Sequence, residues 1–287
     1  MRLLLHAGLA VLLGVLAGCT EKPPPAPSAT RRVVSLSPGL TETLFALGAG
    51  DQVVGVSDFT DWPEEATRRP KVGTTLSPHF EAIARLRPTV IVDEQVKQAP
   101  KESLASLAPV KVLPWLSLDD VVASTRELGR LSGREAEAEA LAQRFASTLS
   151  RQAPEGAPRV LLAIADSPGP LSTVWYIKRD SLHGAALEAA GARNAVGAEV
   201  TGPPNLSLEG IIQLDPDAIL VLVPEEALDE AGKARYLEGW RRLTVLRAVK
   251  GDRVRLVVGR GSQSTGPRIL RLVEQLRAAL GSLPPPP

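Results

Sequence analysis

The chain has 287 residues, and 33 Lys and Arg against 32 Asp and Glu leave a formal net charge of +1. That balance lacks the basic footprint of a polyanion binder, so no nucleic-acid partner is expected. The length exceeds one ordinary domain and allows two lobes, each able to bury a core.

Residues 1–18 begin with Arg2 and the apolar run LLLHAGLAVLLGVLAG, and end on the small residues Ala17 and Gly18. This is the pattern of an export signal; the alternative, a plain anchor helix, would need a longer run and a basic stop. The tetrapeptide LAGC resembles the lipobox of bacterial lipoproteins, which implies cleavage before Cys19 and a lipid on its new N-terminus. Cys19 is the single cysteine, so an exported chain has no internal disulfide and relies on its core. Residues 19–31, with TEKPPPAPSAT, read as a proline-rich tether.

Residues 32–131 alternate strand and helix patterns: VVSL, LTETLFALG, QVVGVS, FEAIARL, TVIVDE, KESLASL and VKVLP. This order predicts parallel strands flanked by helices, an N-terminal lobe of α/β class. The helical stretch LDDVVASTRELGRLSG follows, and then a long helix is expected from Arg134 to Ala153. Its apolar residues Ala138, Leu141, Phe145 and Leu149 recur on one face. Residues 132–156 are assigned to this inter-lobe helix, about 30 Å long at ~1.5 Å per residue. A second alternating series, RVLLAIA to PRILRLVEQLRAALG, makes residues 157–282 a C-terminal lobe, and residues 283–287 read as a disordered tail.

One phrase occurs once per lobe. FEAIARLRPTVIV (80–92) and LEGIIQLDPDAIL (208–220) share five of thirteen positions, 128 residues apart, among them Glu81 with Glu209 and Pro88 with Pro216. Each proline should end its helix and push the preceding residue towards extended backbone. Each glutamate follows a candidate N-cap, Ser77 or Ser207, where the helix dipole favours a negative charge. A shared partner for the two acids is the sharper alternative.

The run from RVVSLSPGLTETLFALG to RPTVIV, with DSLHGAALEAAGARNAV and TGPRILRLVEQL, resembles the periplasmic substrate-binding proteins for vitamin B12, iron-siderophores and haem. This is the long-helix, class III group of ABC-importer receptors, and the phrasing is closest to its vitamin B12 branch. The resemblance spans nearly all of Arg32 to Leu280 and implies two lobes, each a parallel-type sheet flanked by helices, joined by one long helix. It further implies that Glu81 and Glu209 dock on arginines of the two permease subunits. ATP would be hydrolysed by partner subunits, and the receptor would be monomeric, periplasmic and membrane-tethered through Cys19.

The family binds ligand between the lobes, where open α/β sheets also place their sites. The loops there carry Ser37, Pro38, Phe59, Asp61, Trp62, Thr74, Thr75, Trp115, Trp175, Tyr176 and Arg260. Five of these are aromatic in a chain with only four Trp, four Phe and two Tyr, which fits a large, flat, partly apolar ligand. A cobalt or iron chelate is the expected cargo, cobalamin first, then a ferric siderophore, then haem, with no resident cofactor. Thr75 stands where the vitamin B12 branch places a cleft tryptophan, and Thr74 where the haem branch places an iron-ligating tyrosine. With only His79 and His183 beyond the leader, no protein-held metal site is expected. The absence of GxSxG, a P-loop or a cysteine nucleophile argues against an enzyme. A non-transport scaffold lipoprotein is the alternative of another class.

Overall fold

The computed structural model describes residues 31–97, 99–165, 167–197 and 204–285. Cys19, the leader and the tether up to residue 30 lie outside them.

The first sheet contains β1 (Val33–Ser35), β2 (Val53–Val56), β3 (Val90–Glu94) and β4 (Val110–Leu113), in the order β2-β1-β3-β4 and parallel throughout. The helices α1 (Pro38–Ala46), α2 (Glu64–Thr67), α3 (Phe80–Leu86) and α4 (Lys101–Ala105) connect these strands. After β4 come α5 (Leu118–Ser132) and α6 (Glu135–Leu149).

The second sheet is built from β5 (Arg159–Ile164), β6 (Thr173–Tyr176), β7 (Arg193–Asn194), β8 (Asn205–Ser207), β9 (Ala218–Val223) and β10 (Val254–Val258). Its order is β10-β9-β5-β6-β8, with β7 beside β5; β10, β9, β5 and β7 pair in parallel, while β6 and β8 form an antiparallel edge. The helices of this half are α7 (Leu182–Ala190), α8 (Leu208–Leu214), α9 (Glu230–Arg241), α10 (Arg247–Lys250) and α11 (Ile269–Gly281).

Instead of one core per lobe, a single apolar cluster runs through both halves. It joins Val33, Leu40 and Val92 to Phe145 and Leu149 of α6, and then to Val160, Leu187, Leu220 and Leu272. Smaller clusters lie around Ile83 and Ile91 in the first half and around Tyr176 and Trp240 in the second.

The repeated phrase occupies equivalent places in the two sheets. In the first, Arg32 donates to the Leu86 carbonyl at the end of α3, and the Thr89 N–H donates to the Arg32 carbonyl. In the second, Arg159 donates to the Leu214 carbonyl at the end of α8, and the Asp217 N–H donates to the Arg159 carbonyl. Each arginine satisfies a carbonyl left orphaned by the helix end.

Several expectations are corrected. The residues before the two prolines are not extended: Arg87 (φ 44°) and Asp215 (φ 36°) are left-handed, because each closes its helix with a turn hydrogen bond before the proline. Ser207 caps α8 through the Gly210 N–H, but α3 is preceded by His79 with no side-chain cap, and Ser77 sits in a turn with Thr74. The inter-lobe helix ends at Leu149, four residues early, because no intrahelical pattern survives the stretch ahead of Pro154. Its 15 residues make about 22 Å at ~1.5 Å each. The tail starts late: Leu283 packs against the main core and Arg253 donates to the Pro284 carbonyl, whereas residues 286–287 lie outside the described set.

α5 and α6 turn about Gly133 (φ 69°) into a hairpin tied by the two-pronged pair of Arg126 with Glu139. At their contact a Cβ on Gly129 would stand 2.3 Å from the Ala138 Cβ. Gly129→Ala should therefore lower stability by about 1–2 kcal/mol despite the better helix propensity of alanine, because overpacking wins. Gly281→Ala, whose Cβ meets nothing within 4 Å, should be neutral or slightly stabilising. Urea denaturation midpoints of the two variants check this.

Candidate functional site

The loops after the strands of the first sheet meet the segment that enters α11. The linchpin is Glu42 on α1, 4% exposed. Its carboxylate accepts from the Arg268 backbone N–H (2.6 Å), Arg268 Nε (2.8 Å) and Ser264 Oγ (2.8 Å). A second carboxylate, Asp61, accepts from the other prong of Arg268 at 3.0 Å. The Trp62 ring lies under the same guanidinium, 5.4 Å from carbon to ring centroid, within cation–π range.

Two glycines allow this approach. A Cβ on Gly266 would fall 2.7 Å from the Glu42 carboxyl carbon, and one on Gly39 would fall 2.8 Å from both Thr265 Oγ1 and Trp115 Nε1. The Trp115 indole donates to the Thr265 carbonyl at 3.0 Å and is itself buried.

Trp62 and Arg268 stand between two cavities and line both. One, of about 510 Å³, is walled by Arg260, Arg271, Gln275 and Glu226. The other, of about 380 Å³, is walled by Glu42, Phe45, Pro63 and Pro267. Each falls within the usual size range of small-molecule sites.

At the end of β3 lies an acidic pair. Ser37 caps α1 by accepting from the Leu40 N–H and donates its hydroxyl to Glu94; Thr75 Oγ1 donates to Asp93 at 2.7 Å. Burial pushes both carboxyls above the ordinary carboxylate range, against the pull of these hydroxyls. Asp93 Oδ2 is buried with no partner among the described residues.

The structure divides the expected ligand residues. Trp62 and Arg260 line the larger cavity, and Asp61 accepts from Arg268 beside it. Phe59 and Trp175 are exposed, but neither lines the two cavities. Pro38 is the first residue of α1, and Thr74 accepts from the Ser77 N–H within its turn. Two residues are corrected: Trp115 and Tyr176 are 3% and 1% exposed and face cores, not the groove. On β6 the burial pattern alternates, so Trp175 and Tyr176 point to opposite faces. Glu42, Arg268 and Arg271 were missed. Their signal was present: a glutamate inside an otherwise apolar helix face, and arginines at a helix start, where a cation opposes the dipole.

The two tip glutamates are exposed in the first turns of α3 and α8. Arg85 pairs with Glu81 at 3.1 Å, whereas hydrogen bonds from its own backbone and from Ser207 hold the Glu209 carboxyl below its usual range.

The molecule is a two-sheet α/β protein with two cavities at the seam between its halves. The model of the periplasmic binding protein family matches residues 33–257. The vitamin B12-binding protein of Pectobacterium carotovorum subsp. carotovorum (strain PC1) is 30% identical over 200 residues, 67% of this chain and 71% of that one. An ABC transporter substrate-binding lipoprotein of Bacillus subtilis (strain 168) is 29% identical over 265 residues, 87% of this chain and 80% of its own. Among solved structures, a periplasmic heme-binding protein from Pseudomonas aeruginosa superposes with a TM-score of 0.68 at 25% identity, covering 88% of this chain and 94% of that one.

The chain belongs to the periplasmic binding protein family. Its relatives are substrate-binding transport proteins, so it is a binding component and not an enzyme.

Two outcomes follow. Arg268→Met strands the buried Glu42 charge and should cost about 3 kcal/mol, more than Glu42→Gln, which keeps an acceptor for Arg268; thermal and urea unfolding of both check the order. The second concerns His183 on α7, where burial outweighs a backbone hydrogen bond at Ser262 and lowers the imidazole pKa from 6.5 to about 4. The unfolded chain takes up that proton below about pH 6.5 and the folded chain does not until about pH 4, so stability falls as pH drops through this window, by at most about 3 kcal/mol. Asp93 and Glu94, raised by burial, act with the opposite sign, so the difference between wild type and His183→Gln isolates the histidine.

Proposed function

We propose that this chain is the receptor of an ABC importer and carries a metal chelate, with cobalamin as first choice. The observation that carries this reading is the seam itself. Trp62, set on Arg268 between two cavities, offers a flat aromatic face beside a cationic wall, and such a face gives contact area at low entropy cost. The relative named as vitamin B12-binding supports cobalamin, and the heme-binding neighbour keeps haem as the lesser alternative beside a ferric siderophore.

In this reading the lipid on Cys19 tethers the protein outside the cytoplasmic membrane, and the lobes load in the groove. Because the apolar core, the α5–α6 hairpin and the Glu42–Arg268 pair bind the two sheets together, closure on ligand is small. The acidic tips Glu81 and Glu209 then present the loaded receptor to a permease dimer, whose ATPase subunits supply the energy. Rim charges of this kind set register and encounter rate more than affinity.

Calorimetry with cyanocobalamin, a ferric hydroxamate siderophore and haemin tests the cargo: saturable binding of cyanocobalamin is expected, and binding of none would sink the reading. Reversing both tips, Glu81→Lys with Glu209→Lys, should leave ligand affinity within about twofold while uptake by the reconstituted importer is abolished. Unimpaired uptake would remove the docking role.

A further inference from the structure

The larger cavity has an electrostatic peculiarity. Arg260, Arg268 and Arg271 enter it against one carboxylate, Glu226. Arg268 is committed to Glu42 and Asp61, and Arg260 reaches Glu226 only at 4.0 Å. The Arg271 guanidinium has no ion-pair or hydrogen-bond partner among the described residues. It stands in the first turn of α11, which has no acidic residue there, so its charge opposes the helix dipole. Gln275, one turn further along the same helix face, adds an amide donor to the wall.

The opposite wall is the loop Gly259–Gly261, closely applied to this face. A Cβ on Gly259 would be 3.1 Å from Gln275 Nε2, and one on Gly261 would be 3.0 Å from Arg268 Cδ. The N–H groups of Arg260 and Gly261 donate to no acceptor among the described residues. The backbone amides of Arg260 and Gly261, the Gln275 side-chain amide and the unmatched Arg271 guanidinium give this cavity more donors than its one carboxylate, Glu226, can satisfy.

We propose that this cavity is an oxyanion subsite, in which Arg271 and Arg260 hold a phosphate- or carboxylate-bearing arm of the bound chelate while Trp62 covers its ring system. The subsite rests on the receptor reading for its chelate, but its chemistry can be probed alone. An oxyanion there supplies the counter-charge that Arg271 lacks and accepts the two-pronged hydrogen bonds that guanidinium groups favour.

Two arms locate the source of the anion. Cyanocobalamin carries a phosphodiester and dicyanocobinamide does not; haemin carries two carboxylates that its dimethyl ester masks. Arg271→Gln should weaken the anionic member of whichever pair binds by about tenfold, the value of a charge-assisted hydrogen bond, and leave the neutralised member unchanged. Equal weakening of both members would mean that Arg271 only shapes the wall and would overturn the proposal, as would no effect on either. If wild type binds neither pair, cobalamin and haem are excluded as cargo, and pyrophosphate alone decides the subsite. Saturable quenching of tryptophan fluorescence, weakened by salt and lost in Arg271→Gln and in Trp62→Phe, upholds it; the absence of quenching overturns it.

Discussion

The buried pair of Glu42 and Arg268 organises the seam. Two charges withdrawn from water carry a desolvation penalty that attraction alone rarely repays, so such a pair is a device for register more than for raw stability. Here it is completed by a backbone N–H and a serine hydroxyl, which leaves the carboxylate well satisfied. Everything at the groove takes its position from it. Arg268 sets the Trp62 ring, Trp62 divides the cavities, and Gly39 and Gly266 are held to glycine by the closeness of the two backbones.

A seam fixed in this way explains why the two halves share a core. Were the lobes independent, each would present a polar surface to the other, and the apolar positions of α6 would need only to cover one sheet. Instead Phe145 and Leu149 join a cluster that reaches residues of both sheets. In the receptor proposed above, binding then works mainly through side chains at the groove, with backbone rearrangement kept small. The repeated helix-and-strand unit adds the outer geometry. Arg32 and Arg159 tie the ends of α3 and α8 in the same way, so both acidic tips sit on equivalent, well-anchored turns.

Much of the scaffold was legible because its signals were local. The apolar runs of β1, β3, β5 and β9 and the periodic stripes of α1, α7 and α11 have a bland reading that is also the right one. α9 was not foreseen, since it buries little beyond Tyr236 and Trp240 and otherwise shows a charged surface. β8 was missed for a related reason: an edge strand of three residues has no buried side chain to betray it. The left-handed Arg87 and Asp215 contradict the usual bias before proline because a helix-closing turn competes with it and wins.

The groove was less legible than the scaffold, and the reason is physical. Trp115 and Tyr176 lie near strand ends, where an aromatic can cover a core or face a ligand, and only the register of the strand and the partner of the indole decide between them. Glu42 and Arg268 are 226 residues apart, so no window of sequence contains their interaction. What sequence does contain is the local anomaly each partner creates: an acid in an apolar helix face, a cation at a helix start. Arg268 resolves its anomaly inside the fold. Arg271, three residues on, presents the same anomaly with no partner among the described residues, and an unresolved charge beside a cavity is a reason to look for its partner in the ligand.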